Sequence, residues 1–381
     1  LFLLSIPSII FAANLTAEVT IDEAQAVALN CIKTNSGDIA QWDGATIDNS
    51  VNYFLPSGTQ SAYEFSVVNK GKEVGYIFVS AKKDWMPILE YSDGVAPSNY
   101  VADVESLALK DSYIDESDRL DPIFYYWGAC TYSVQLGEKM KKDGLVYNLS
   151  SGLITNLPEK DPHLQMVSSQ ARDLWADIDK KVLSGYESCI SAVPDFYQSV
   201  LWIGHGDDHD SDADEWPYCV GIADDPWADW DGCSPISGAM VIGYWHDNGY
   251  PNIPDPDTSG TEDTLIDHCH YVMGTDYDGY TDEDNIGWGL MHVPTFYGYY
   301  SFITFMGEAT WSWTTDEIDE DRPFVLSMLW SPTYGNHSVC VYGYKDDTQD
   351  YIIIHDPNGP PAKVYVTWGD WALATMDTLE P

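Results

Sequence analysis

Basic residues are scarce in this chain: 17 lysines and arginines stand against 61 aspartates and glutamates, for a formal net charge of −44. Contact with nucleic-acid phosphates needs patches of positive charge, so we expect no nucleic-acid partner. Carboxylates that cover a surface repel one another unless counter-ions screen them, and here they are spread along the whole chain. This pattern favours an acidic, halophilic protein whose surface carboxylates are screened by salt cations, and calcium binding is a second interpretation. A plain soluble acidic exoprotein is the alternative.

Long apolar segments are also missing. Leu1 to Ala13 form an uncharged apolar run that is too short to span a bilayer and ends in small residues, as signal peptides do. No later stretch is apolar enough to span a membrane. We therefore predict a partial signal peptide at residues 1–17, no stable membrane span, and a secreted or cell-surface location.

No Cys-x-x-Cys pair occurs, so we expect no structural zinc site. We predict no other cofactor. The seven cysteines leave one unpaired if the others form disulfides, which fits a lone nucleophile. Most of them lie in apolar stretches, where buried free thiols are the expected state. Asp210, Asp212 and Asp214 alternate as calcium-loop ligands do, but Glu215 occupies the position that needs Gly, so a solvated acidic loop is favoured.

One segment joins a cysteine directly to a helix signal. Cys233 is followed by Pro235, which suits a first helical turn, and then by apolar residues at the spacing of a buried helix face. Asn248-Gly249 is a stop signal. Cys233 is thus predicted at a helix N-terminus, where the helix dipole favours the thiolate, which is the nucleophilic form.

A histidine and an aspartate follow about a hundred residues later, at the ends of two predicted strands. His337 opens an apolar strand, and Asp356 closes a second strand after a turn at Asp346-Asp347. If the two strands form a hairpin of suitable register, His337 and Asp356 become cross-strand neighbours. An imidazole base and its orienting carboxylate require this placement.

At these residues the chain resembles the papain-like cysteine peptidases, and within them the group related to the double-glycine peptidases that trim bacteriocin leaders. Those proteins carry a Cys-Gly-Pro or Cys-Ser-Pro helix start, Gly-His or Asn-His before an apolar strand, and Asp-Pro after another. This chain has Cys233-Ser234-Pro235, Asn336-His337 and Asp356-Pro357. The resemblance covers about the last half of the chain. It implies Cys233 as nucleophile, His337 as general base and acid, Asp356 as orienter, and a protein or peptide substrate.

One position departs from the family. A Gln about six residues before the Cys usually donates to the oxyanion, and here Trp227 occupies that position. The backbone N–H of Cys233 supplies one donor, and an indole N–H of Trp227 or Trp230 is the candidate for the second. Beside an exported cysteine peptidase, two alternatives stay open. They are a catalytically inactive papain-like surface binding module and an acyl transferase of transglutaminase type, which uses the same Cys-His-Asp chemistry.

The sequence divides into four predicted parts. After the signal peptide, residues 18–100 form a small α+β domain that begins with a capping signal, Thr20 to Glu23. Its Gly-Tyr-Ile-Phe-Val-Ser-Ala and Pro-Ile-Leu-Glu-Tyr-Ser segments resemble a streptopain-type propeptide, which implies an inhibitory or folding-assisting prodomain; a plain accessory domain is the alternative. Residues 101–200 are predicted as a helical linking region. Residues 201–381 are predicted as a papain-like peptidase domain of the α+β class, in which the Cys helix packs on an antiparallel sheet.

Overall fold

The computed structural model describes most of the chain beyond the predicted signal peptide. The described ranges are 18–110, 112–114, 121–161, 168–177, 185–198, 231–258, 261–276, 279–329, 336–371 and 373–381. The predicted signal peptide, the acidic loop with Asp210, Asp212 and Asp214, and the indoles of Trp227 and Trp230 lie outside these ranges.

Helices and strands alternate irregularly along the described residues. The helices are α1 (Ile21–Asn35), α2 (Val101–Lys110), α3 (Gly137–Asp143), α4 (Ser168–Asp177), α5 (Cys233–Asp247), α6 (Thr261–Met273), α7 (Glu283–Phe296) and α8 (Trp311–Asp319). The first strands are β1 (Thr46–Phe54), β2 (Gln60–Asn69), β3 (Lys72–Ser80), β4 (Ile88–Ser92), β5 (Ile123–Gly128), β6 (Thr131–Gln135), β7 (Leu145–Asn148), β8 (Ile154–Asn156) and β9 (Tyr186–Cys189). The later strands are β10 (Ile303–Glu308), β11 (Phe324–Leu329), β12 (Asn336–Asp346), β13 (Tyr351–His355), β14 (Val364–Thr367) and β15 (Leu373–Glu380).

The secondary structure of residues 18–100 is the predicted one, a helix followed by strands. The capping box before α1 is confirmed, because the Glu23 N–H donates to the Thr20 hydroxyl (3.3 Å) and the Thr20 N–H donates to the Glu23 carboxylate (2.9 Å). Helix α1 packs on the antiparallel strands β1 to β4. The role of this part as a prodomain stays a prediction.

One continuous sheet connects the N-terminal and C-terminal parts. Its strand order is β10-β15-β11-β12-β13-β14-β4-β3-β2-β1-β5-β6-β7-β8, and β9 pairs with β12 off this path. Strands β4 and β14 are antiparallel neighbours, with Ser92 opposite Val364 and Glu90 opposite Val366. A buried hydrophobic core on this sheet contains residues from both parts.

Residues 101–200 differ from the helical region that we predicted. Strands β5 to β8 extend the sheet beyond β1, and β5 runs parallel to it, with Phe124 opposite Tyr53. The reason lies in the aromatic residues of β5: Phe124 and Tyr126 alternate onto one face, where they pack with Tyr53 and Phe78 in a second buried core. The boundaries of the predicted domains remain predictions.

The C-terminal half is α+β, with antiparallel pairing along the path from β10 to β14. Helix α5 is apolar around its whole circumference, and its residues 234–245 are buried between α6 and α7 on one side and β11 and β12 on the other. This arrangement of the Cys helix on an antiparallel sheet agrees with the predicted fold class. Among the described helices, none has the length and apolar character needed to cross a membrane.

Candidate active site

Cys233 is the first residue of α5, where the sequence analysis places it. Gly232 precedes it with a φ of 92°, in the left-handed region that favours glycine. A Cβ at Gly232 would lie 2.3 Å from the carbonyl oxygen of Gly279, so the loop between α6 and α7 closes directly against the backbone before the cysteine. The thiol is held at the positive end of a buried helix.

His337 and Asp356 form a buried pair at the ends of β12 and β13. The register sets Cys340 opposite His355, so Asp356 is not the direct cross-strand partner of His337. The side chains nevertheless meet, with 2.8 Å between His337 Nε2 and Asp356 Oδ1. The hairpin predicted from the sequence is therefore present, with a register offset that the two side chains span.

A tight turn fixes the carboxylate of this pair. The Asn358 N–H donates to Asp356 Oδ1 at 3.0 Å, and the Gly359 N–H donates to the Asp356 carbonyl at 3.1 Å. The Asn358 side-chain amide also lies 3.4 Å from His337 Nδ1. The imidazole is thus oriented through Nε2 by Asp356, and its other nitrogen lies beside Asn358.

The thiol and the imidazole shift each other's protonation. Burial alone would raise the pKa of the Cys233 thiol, but the hydrogen bond and charge of His337 outweigh it and lower this pKa. Burial alone would lower the pKa of His337, but the charge and hydrogen bond of Asp356, together with the Cys233 sulfur, raise it to about 10. Both shifts favour a thiolate–imidazolium pair.

The other described cysteines lack this environment. Burial raises the pKa of each of them, and for the exposed Cys189 to about 11. The set comprises Cys31, Cys130, Cys189, Cys269 and Cys340, all free thiols. Cys233 is therefore the one described cysteine with a lowered pKa.

Gln198 is a site residue that the sequence analysis missed. Its backbone N–H donates to the Pro357 carbonyl at 2.8 Å, which ties this segment to the turn after Asp356. Its side-chain Oε1 accepts from the backbone N–H groups of Asp231 (3.1 Å) and Gly232 (3.4 Å). Its Nε2 is buried and has no hydrogen-bond partner among the described residues. Within the described part of the chain, the amide thus presents an unused donor beside the loop that carries Cys233.

No sequence signal marks Gln198, because it lies about 35 residues before Cys233 and not about six. The earlier candidates, Trp227 and Trp230, fall outside the described ranges, so their role as donors stays a prediction. The same holds for the weak calcium ligands Asp210, Asp212 and Asp214. Within the described part of the chain, no group of three or more His, Cys, Asp or Glu residues could hold a metal ion.

The arrangement suits acyl transfer. The Cys233 thiol, with its lowered pKa, lies beside an imidazole that a carboxylate holds at 2.8 Å, and the Gln198 side chain accepts from the backbone just before the cysteine. These are the roles that a covalent mechanism at a carbonyl group requires.

Comparison with known proteins points the same way. No curated protein matches the chain. Residues 217–374 match the model of a family described as Peptidase_C39 like family. The matched segment contains Cys233, His337 and Asp356, begins after Gln198, and spans less than half of the chain. The match supports a relation between this part of the chain and the papain-like cysteine peptidases.

Proposed function

We propose that the protein is an exported cysteine peptidase that hydrolyses peptide bonds through Cys233, His337 and Asp356. The observation that carries this proposal is the lowered pKa of the Cys233 thiol beside a His337 imidazole that Asp356 holds at 2.8 Å. The family match supports peptidase chemistry at the level of class. The apolar run at residues 1–13 supports export.

In the first half of the reaction, the Cys233 sulfur bonds to the substrate carbonyl carbon, and the carbonyl electrons move onto oxygen. The His337 imidazolium gives its proton to the leaving amine as the C–N bond breaks, which leaves a thioester. In the second half, a water molecule loses a proton to His337 and attacks the thioester carbon. The C–S bond then breaks, which releases the acid product and restores the thiolate.

The oxyanion of both tetrahedral intermediates needs two donors. In this proposal they are the backbone N–H of Cys233 and the Nε2 amide of Gln198, because the Gln198 Oε1 is already held by two backbone N–H groups. Loss of one such donor typically lowers kcat by about 10²–10³. We expect a loss of this size in Gln198→Ala, with alkylation of Cys233 retained, since alkylation forms no oxyanion.

Residues 18–100 act in this proposal as a pro-region that assists folding. Strand β4 covers the edge of β14, and the buried Lys345 of β12 donates to Asn35 and Asp38. These contacts stabilise the sheet that carries His337. They support a folding role more directly than an inhibitory one.

The test is alkylation with iodoacetamide in high salt, with the modified residue read by mass spectrometry. The wild type, Cys233→Ala and His337→Ala are compared, and Cys189 serves as the internal control because it is exposed but has a raised pKa. Selective labelling of Cys233 that depends on His337 is expected. Equal labelling of Cys233 and Cys189 in the wild type would refute the proposed peptidase function.

Two product assays separate the alternatives. A labelled Cys233 with peptide hydrolysis is the proposed result. Incorporation of a primary amine into a glutamine peptide, without net hydrolysis, would indicate the transglutaminase-type transferase. Binding of a protein ligand without either reaction would indicate the inactive binding module.

A further inference from the structure

A chain of buried serine hydroxyls runs from the middle of the sheet to the nucleophile. Ser327 on β11 and Ser338 on β12 are directly opposite each other, with 3.0 Å between their Oγ atoms. Ser338 Oγ lies 2.9 Å from Ser234 Oγ in the first turn of α5. The three side chains are at most 5% exposed. Solvent therefore does not compete for these hydrogen bonds.

This series of serine hydroxyls leads to the Cys233 sulfur. The backbone N–H of Ser338 donates to Cys233 Sγ at 3.4 Å. A side-chain hydrogen bond from Ser234, the next residue along the sequence, also lowers the pKa of this thiol. Both donors favour the charged form of the thiol. The Ser237 hydroxyl adds a bond of 3.1 Å to the Ser338 carbonyl, which fixes α5 against β12 at this point.

Each hydroxyl has one proton to donate. When the Cys233 sulfur is an anion, the serine hydroxyls therefore all donate in the direction of the sulfur. If Ser234 donates to the thiolate, its oxygen is left to accept from Ser338, and Ser338 in turn accepts from Ser327. Hydrogen bonds aligned in this way polarise one another, and each strengthens the next. The buried position of the chain increases this effect.

We propose that Ser327, Ser338 and Ser234 form a hydrogen-bond relay that ends on Cys233 Sγ and stabilises its thiolate. The proposal rests on the proposed function of Cys233 as nucleophile. The serines are positioning residues, because they act on the substrate only through the sulfur. Ser327 is the informative member, since it reaches Cys233 only through two other hydroxyls.

The test measures the rate of iodoacetamide labelling of Cys233 as a function of pH. Ser234→Ala removes the last donor of the relay and is expected to lower the labelling rate about tenfold on the acidic side of the profile. Ser327→Ala removes a remote donor and is expected to lower it about threefold. The midpoint of the profile moves to higher pH in both variants. Ser327→Thr keeps the hydroxyl and is expected to restore the wild-type midpoint.

Thr375→Val is the matched control. Thr375 lies opposite Ser327 on the other neighbouring strand, β15, and its buried hydroxyl has no hydrogen-bond partner among the described residues. This isosteric change removes a hydroxyl from the same row of the sheet but not from the relay. Its labelling profile is expected to equal that of the wild type.

Three outcomes would overturn the relay. A Ser327→Ala variant that unfolds at lower temperature but keeps the wild-type labelling midpoint has lost only a structural contact. A shift of equal size in Thr375→Val would show that any hydroxyl in this row has the same effect. If Ser327→Ala does not fold, an unshifted midpoint in Ser234→Ala decides against the relay. Wild-type protein without selective labelling of Cys233 would instead refute the proposed function, and the relay with it.

Discussion

Asp377 is a buried carboxylate, and its replacement tests how the free energy of unfolding depends on pH. It lies on β15 with no solvent exposure. Helix α7 packs directly on it, since a Cβ at Gly287 would lie 2.9 Å from Asp377 Oδ1. Burial, followed by the charges of Glu283 and Asp284, raises the pKa of Asp377 from 3.8 to about 7. The backbone N–H of Gly287 offsets only part of this rise.

The sign of the effect follows from the raised pKa. Between the unfolded value of 3.8 and the folded value of about 7, the native state binds more protons than the unfolded state. The free energy of unfolding therefore falls as the pH rises through this window, and the loss is complete above pH 7. One pKa unit corresponds to about 1.36 kcal/mol. The free energy of unfolding is therefore expected to fall by at most about 3 kcal/mol between pH 5 and pH 8 because of this shift.

The perturbation is Asp377→Asn, which has nearly the same shape and cannot ionise. Urea titrations at pH 5 and pH 8 measure the free energy of unfolding of the variant and the wild type. The wild type is expected to lose up to about 3 kcal/mol more than the variant between the two pH values. Asp316→Asn on the exposed surface of α8 controls for the change in net charge. Equal pH dependence in wild type and Asp377→Asn would refute the reasoning.

Three further predictions concern the site and its support. Because His337 loses its proton only near pH 10, kcat/KM should rise through a Cys233 pKa below 9.0 and fall on the alkaline side near 10; a pH–rate profile falling near 7 would contradict this. Gly232→Ala should abolish selective alkylation and lower the free energy of unfolding by more than about 1 kcal/mol, because a Cβ meets a carbonyl oxygen and φ is positive. Asp38→Ala removes the partly exposed carboxylate that the buried Lys345 contacts, while Asn35 remains as an acceptor, and should lower that free energy by about 1 kcal/mol in urea titration.

Local signals in the sequence were sufficient for the elements that carry the triad candidates. Pro235 and the stop at Asn248-Gly249 predicted the bounds of α5 to within a residue. The turn at Asp346-Asp347 predicted the β12–β13 hairpin, since turn residues and apolar runs are properties of neighbouring residues. The register was not predictable, because a bulge between Val341 and Gly343 depends on packing against other strands.

The features of the fold and of the site that were not predicted depend on contacts between residues that are distant in the sequence. Gln198 is placed by backbone donors of Asp231 and Gly232 across a long intervening segment, and no spacing rule encodes that contact. Strand β10 is an edge strand whose side chains are largely exposed, and Ile303 and Phe305 are about half exposed. Its sequence therefore lacks the pattern of a buried strand. Strand β5 was missed because a short aromatic run does not by itself decide between helix and strand, and its pairing with β1 decides between the two.

The shared sheet limits what removal of residues 18–100 can do to the C-terminal half. Strand β14, whose four residues are all buried, pairs with β13 on one side and β4 on the other. Without β4, its N–H and C=O groups would form an open apolar edge, which favours aggregation. A single cut between residues 100 and 231 should therefore leave the two parts bound. Limited proteolysis followed by size-exclusion chromatography measures this. A C-terminal fragment that elutes alone, monomeric and folded, would show that the N-terminal strands are dispensable.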